Sequence, residues 1–262
     1  MTTMRNFTAS TDDVLLFDAA NMPSPRRVRM CLIEKGIAFT SRWMALGMMD
    51  QKQPSYLALN PTGMVPTLLH HGTVLFDSNV INEYLDALYP DPSLVPANPL
   101  GQAEMRMWFA VELDIAKPFR DASYETFGKA RLQNSGMTET QLVEEVESRT
   151  KNPAYLKFAM SVLKTPADHQ LIRDRLEVIL EKIEGIEKKL SDGRIWLCGD
   201  LFTLADICMA PRMDMYPIIG IDDLFERYPH LGAWMARVKQ RPSWEKSNIV
   251  PEPGETERMV TP

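Results

Sequence analysis

Val65-Pro66-Thr67-Leu68-Leu69 and Thr73-Val74-Leu75-Phe76 flank a turn built on Gly72, and Asp77-Ser78 follows at once. Two short apolar runs around a glycine turn predict a β-hairpin. From Ser78 onward, Val80, Ile81, Tyr84, Leu85 and Leu88 recur at helical spacing, and Tyr89-Pro90-Asp91-Pro92 ends the helix. A hairpin that feeds a helix start places backbone edge and a polar helix terminus in one small space. That arrangement suits a peptide-like or carboxylate ligand. Pro66 cannot donate to a ladder, so it belongs at the strand's first position or at an edge, and by itself it reads as an ordinary strand-opening proline.

The residues around this hairpin extend the pattern. Val14-Leu15-Leu16-Phe17 is a continuous apolar run, the mark of an interior strand. Its following loop offers Ser24 as an N-cap and Pro25 as the first residue of a helix from about Arg26 to Lys35, stopped by Gly36. Ile37 to Met44 reads as a second strand, and 47–58 as irregular chain with a short helix. Asn60-Pro61-Thr62-Gly63 is a turn. Residues 14–89 therefore read β-α-β-(α)-β-β-α, with parallel and antiparallel pairing.

After a proline-bearing linker, Ser93 to Pro99, the texture becomes helical. Gln102 to Lys117 is a long amphipathic helix carrying Met105, Trp108 and Glu112. Helical patterns recur at Glu139 to Val146, Tyr155 to Leu163, His169 to Leu190 and His230 to Gln240, and a charged tail closes the chain. Thr203 and Asp206 form a short capping box, with Phe202 and Ile207 as its hydrophobic staple. Its role is structural. The expected boundaries are 12–90 for the α/β domain and 99–247 for the helical one.

Composition excludes several functions. A formal net charge of −6 without a basic patch argues against nucleic acid. Three cysteines, Cys31, Cys198 and Cys208, form no metal pattern and point to a reducing, cytoplasmic setting. His70 and His71 are adjacent, His169 and His230 are distant in sequence, and no metal site is expected. No apolar run reaches the roughly 18 residues of a membrane span.

Val-Pro before a strand, Asp-Ser opening the next helix, a proline linker, an all-helical half and a Thr-Leu-Ala-Asp box together resemble the cytosolic glutathione transferases. The resemblance covers nearly the whole chain. It implies a two-domain fold, an α/β thioredoxin-like N-terminal domain plus an all-α C-terminal domain, assembled as a homodimer, with glutathione as co-substrate. It also implies a cis bond before Pro66. Val65 would bond the cysteinyl part of glutathione through its backbone, Asp77 and Ser78 would receive the γ-glutamyl end, and Gln53 or Lys52 the glycyl carboxylate. From the residues alone, Ser78 could equally be the helix cap and Asp77 a solvated side chain.

The family's Ser, Cys or Tyr after strand one stabilises the thiolate by a hydrogen bond. Here the loop offers Ser24 and Asn21, while counting back from Arg27-Val28-Arg29 places the usual serine nearer Met22. Arg27 is either a source of positive potential or a surface charge. The extra length at 118–166 resembles the bacterial β-etherase branch, which cleaves β-aryl ethers of lignin-derived aromatic ketones. An aromatic acceptor would then lie against Met22, Met105, Trp108, Phe119, Tyr124, Phe127, Met209, Met213 and Tyr216, with Arg212 facing solvent or the pocket mouth. The competing assignment for these residues is helix–helix core, with about three of the wall residues on substrate. Conjugation or dehalogenation of small electrophiles, and a non-catalytic glutathione-binding role, are the alternatives.

Overall fold

The computed structural model describes residues 14–20, 22–46, 49–129, 136, 138–149 and 166–262. Its strands are β1 (Leu15–Asp18), β2 (Phe39–Trp43), β3 (Thr67–His70), β4 (Thr73–Phe76) and β5 (Glu257–Val260). They form one mixed sheet in the order β4-β3-β1-β2-β5. Only β1 and β2 run parallel; the other pairs are antiparallel. Every residue of β1 is buried, as a central strand requires. His71 and Gly72 both have positive φ, 48° and 76°, so the hairpin turns through the two-residue connection that matches strand twist.

Helix α1 (Pro23–Glu34) follows β1, the one-turn α2 (Pro54–Leu57) precedes the hairpin, and α3 (Ser78–Leu88) leaves it. The helical half comprises α4 (Pro99–Ser123), α5 (Glu139–Arg149), α6 (His169–Leu190), α7 (Leu204–Met213), α8 (Leu224–Arg227), α9 (Pro229–Lys239) and α10 (Pro242–Lys246). Helix α4 packs on α6 and α7, and α1 packs on α3, α7 and α10. Leu16, Leu32 and Ile81 of the α/β half share one core with Ile115, Ile179, Ile207 and Trp234 of the helical half. Apolar contact, not a linker alone, fixes the two halves together.

Two expectations need correction. Helix α1 begins two residues early: Met22 is an extended N-cap without a side-chain bond, and Ser24 lies inside the first turn. Pro23 explains the shift, since it lacks an N–H and its fixed φ suits the first helical position. The charged tail is also not a loose end. Residues Glu257–Val260 pair with β2, Trp43 donates its N–H to the Thr256 carbonyl (2.9 Å), and Val260 is buried. This fifth strand covers the β2 edge. The expected pattern from Tyr155 to Leu163 lies outside the described residues, as does Asn21.

Candidate active site

The loop entering the hairpin is built from below. Tyr56 at the end of α2 bonds the Met64 carbonyl (2.6 Å) and Thr67 Oγ1 (2.7 Å) through one hydroxyl. Asn60 donates Nδ2 to the same two acceptors, at 3.0 and 2.9 Å. Lys52 donates Nζ to the Gly63 carbonyl at 2.7 Å. Gly63 has φ +59°, and a Cβ there would stand 2.7 Å from Lys52 Nζ and 2.9 Å from Leu57 Cδ2, so any other residue strains the backbone and must displace the Lys52 and Leu57 side chains. The Val65–Pro66 bond is cis. Pro66 is buried, and Val65 is half-buried outside the ladder, which begins at Thr67. Gln53 is the N-cap of α2. Lys52, Gly63 and the Val65 loop are thus brought together, and their supports, Tyr56 and Asn60, escaped the sequence reading. The available signal was Asn60 opening the Asn60-Pro61-Thr62-Gly63 turn, with Tyr56 four residues before it.

At the other end of the hairpin, Asp77 is the N-cap of α3, with φ 72°, a left-handed value that costs a non-glycine residue energy. Its Oδ1 accepts the N–H groups of Asn79 (2.9 Å) and Val80 (3.2 Å). The cap is therefore Asp77 and not Ser78, which is buried as the first helical residue. Neither the Ser78 hydroxyl nor Asp77 Oδ2 has a hydrogen bond among the described residues. A hydroxyl, a helix N-terminus and a free carboxylate oxygen, side by side, can take a carboxylate and an amine on neighbouring atoms. That is the donor and acceptor set a γ-glutamyl group requires.

Ser24, in the first turn of α1, is half-buried, and its hydroxyl has no partner among the described residues. Behind it lies a buried ionic cluster. Arg27 of α1 and Arg212 of α7 both pair with Glu112 of α4, Arg212 through Nε (2.9 Å) and Nη2 (2.8 Å). Arg27 is 2% exposed, which removes the surface-charge reading, and Arg212 is buried as well. Burial alone would raise the Glu112 carboxyl, but the guanidinium groups of Arg27 and Arg212 hold it below the usual carboxylate range. The cluster joins the α/β half to two helices of the other half.

Most of the expected acceptor wall lies in the core. Met105, Trp108, Phe119, Met209, Met213 and Tyr216 are all buried; Trp108 donates Nε1 to the Leu197 carbonyl (3.0 Å), and Phe119 meets Tyr216 edge-on. Tyr124 and Phe127 lie in a π-helical turn after α4, Tyr124 half-buried and Phe127 exposed. Met22 alone among the named residues lines the cleft of about 130 Å³ at the start of α1. Its other walls are Pro23, Arg26, Pro211, Asp214, Met215, Ile218 and Asn248. Proline and methionine within α7 gave no sequence signal separating cleft from core.

A thioredoxin-like sheet with a cis-proline loop, a polar helix start beside it and an all-helical partner defines a glutathione-using class of protein. Residues 21–88 match the family model for the glutathione S-transferase N-terminal domain, and 151–242 that for the C-terminal domain. The chain belongs to the glutathione transferase superfamily, whose members use glutathione as co-substrate. It is 27% identical to glutathione S-transferase F9 of Arabidopsis thaliana over 240 residues, covering 89% of this chain and 96% of that one. It is 28% identical to protein LigF of a Sphingobium species over 220 residues, 81% of this chain and 84% of LigF. The crystal structure of LigF, described as a beta-etherase, matches the fold with a TM-score of 0.77 at 24% identity, covering 89% of this chain and 98% of that one. A theta class glutathione S-transferase of Xanthomonas axonopodis pv. citri, solved with glutathione bound, has a TM-score of 0.68 at 26% identity, covering 92% of this chain and 99% of that one.

Proposed function

We propose that this glutathione transferase cleaves β-aryl ethers of aromatic ketones. The observation that carries the reading is the pairing of a glutathione-shaped half-site with an unpartnered Ser24 hydroxyl beside an apolar cleft. Val65 backbone, Asp77 and Ser78 hold the tripeptide, with Lys52 and Gln53 at its glycyl end. The Ser24 hydroxyl, or the Asn21 amide, donates to the thiolate and lowers the thiol pKa; the positive end of α1 adds to this. The sulfur attacks the carbon between ketone and aryloxy oxygen, forming a C–S bond as the C–O bond breaks. The phenolate leaves with the electron pair and is protonated by solvent. The ketone activates that carbon, so the protein's main tasks are ionising the thiol and aligning the two reactants. The likeness to LigF supports this acceptor.

The similarity to plant transferases favours a second reading, conjugation of other small electrophiles by the same thiolate. Mass-spectrometric analysis with glutathione and a racemic β-aryl ether ketone separates the two. Phenol and a glutathione thioether support etherase chemistry; their absence in a protein that still conjugates other electrophiles sinks it.

We also propose a cytoplasmic homodimer. Among the described residues no helix is long and apolar enough to cross a membrane. Exposed Met64, Phe76, Val80 and Met107 lie on the loop before the hairpin, on β4, on α3 and on α4, where Arg106 ties α4 to Glu83 of α3 at 2.8 Å. Light scattering should give twice the chain mass, and a monomer for Phe76→Glu with Val80→Glu; a monomeric wild type discards the dimer.

A further inference from the structure

The cleft at the start of α1 is apolar except for Arg26, Asp214 and Asn248. Arg26 is buried, and its guanidinium stacks on the Trp244 ring, 3.7 Å from the centroid. Its hydrogen bonds run from Nη2 to the Trp244 carbonyl (3.1 Å), from Nη1 to Asp214 Oδ2 (3.3 Å) and from Nε to Ser247 Oγ (3.4 Å). All are longer than the ~2.7–2.9 Å of a strong charge-assisted bond. Asp214 has a better partner, since Lys239 Nζ reaches its other oxygen at 2.8 Å. The other two cations on α1 are matched elsewhere, Arg27 by Glu112 and Arg29 by Asp18. Two cations, Arg26 in the cleft wall and Lys239 outside it, therefore share one carboxylate, and the three groups together carry one net positive charge beside the cleft. The Asn248 side-chain amide makes no hydrogen bond among the described residues and is exposed.

A loosely satisfied guanidinium in the wall of the same cleft as Met22, Met215 and Ile218 is a recognition element for an anion carried on an apolar body. We propose that the cleft binds the carboxylate of an arylalkanoate, with Arg26 and Asn248 on the carboxylate and the ring against Met22, Met215 and Ile218. Asp214 keeps Lys239 when the anion takes Arg26, so the exchange strands no charge. The consequence for catalysis rests on the transferase reading: Pro23 of the cleft wall adjoins Ser24, so aromatic acceptors bearing a carboxylate become the preferred class.

The test is calorimetric titration of the full chain, without glutathione, with 3-phenylpropanoate and with its uncharged amide. The acid should bind about tenfold more tightly than the amide, as expected for one charge-assisted contact in a half-exposed site. Ile218 stands at the cleft mouth, 37% exposed, so its substitution leaves the fold intact. Both Ile218→Glu and Ile218→Lys remove an apolar contact and should weaken the amide alike, whereas the ratio of acid to amide affinity should fall in Ile218→Glu and rise in Ile218→Lys. Arg26→Gln should abolish the preference for the acid, and the two Ile218 variants keep the test valid if Arg26→Gln unfolds. Equal binding of acid and amide, no binding of either, or an identical ratio of acid to amide affinity in Ile218→Glu and Ile218→Lys overturns the inference. Turnover of a neutral β-aryl ether ketone with glutathione, measured on the same samples, reports separately on the transferase reading.

Discussion

Helices α1 and α7 pack against each other, yet their first turns treat polar groups in opposite ways. At α7 every group is closed. Thr203 donates its N–H (2.9 Å) and hydroxyl (3.2 Å) to Asp206 Oδ2, while the Leu197 N–H (3.0 Å) and Trp234 Nε1 (2.8 Å) donate to Oδ1. The whole set is buried. At α1 there is no side-chain cap, and the Ser24 hydroxyl is left open at a half-buried position. A saturated hydrogen-bond network stabilises a fold and has nothing left for a ligand. An unsaturated one at a cleft edge costs some stability and can act on what binds there.

The sharpest way to separate these regimes is to remove the buried anion between them. Glu112→Ala strands Arg27 and Arg212 and should cost about 3–5 kcal/mol, read from denaturant unfolding. Because the Glu112 pKa is depressed in the fold, its contribution is complete above the ordinary value of 4.5 and is lost as pH falls through the lower folded value. Glu112→Gln should therefore flatten the acid limb of stability against pH; an unchanged limb means other carboxylates govern it.

Asp206→Ala comes next, with a loss of about 3 kcal/mol as four donors lose their acceptor. A loss under about 1 kcal/mol would show that the α7 start is not the closed network described. Ser24→Ala should do the reverse. Its stability should stay within about 0.5 kcal/mol of wild type. If Ser24 serves the thiolate, kcat/KM with glutathione should fall about 10- to 100-fold, and the glutathione thiol pKa should rise. If both are unchanged, Asn21 becomes the partner. The smallest effect belongs to Thr203→Ala, about 1 kcal/mol of stability with unchanged kcat/KM. A change in catalysis there would blur the contrast between the two helix starts.

Much of the fold was legible because its signals are local. The helix predicted from His169 to Leu190 is observed over those residues, and the Thr203–Asp206 box and the hairpin turn at Gly72 stand where residue chemistry placed them. The cis bond before Pro66 was not a local signal; it came from family resemblance, since proline permits either isomer. The acceptor wall was poorly legible for a different reason. Met105 and Trp108 on α4, and Met209 and Met213 on α7, stand at helical spacing, which reports that a face is covered but not whether protein or ligand covers it. Ser24 was misplaced as a cap because two prolines compete for the first helical position, and Pro23 takes it.

Short-range chemistry in the chain dictates the strands, the capped helix starts and the donors beside Pro66, because turn conformation, capping and periodicity act within a few residues. Long-range packing decides the rest. It buries Arg27 and Arg212 on Glu112, brings Glu257–Val260 back to β2 past the entire helical half, and sets Arg26 between Trp244 and a cleft. Each of these depends on partners far apart in sequence, and a residue's type does not specify which distant surface will meet it.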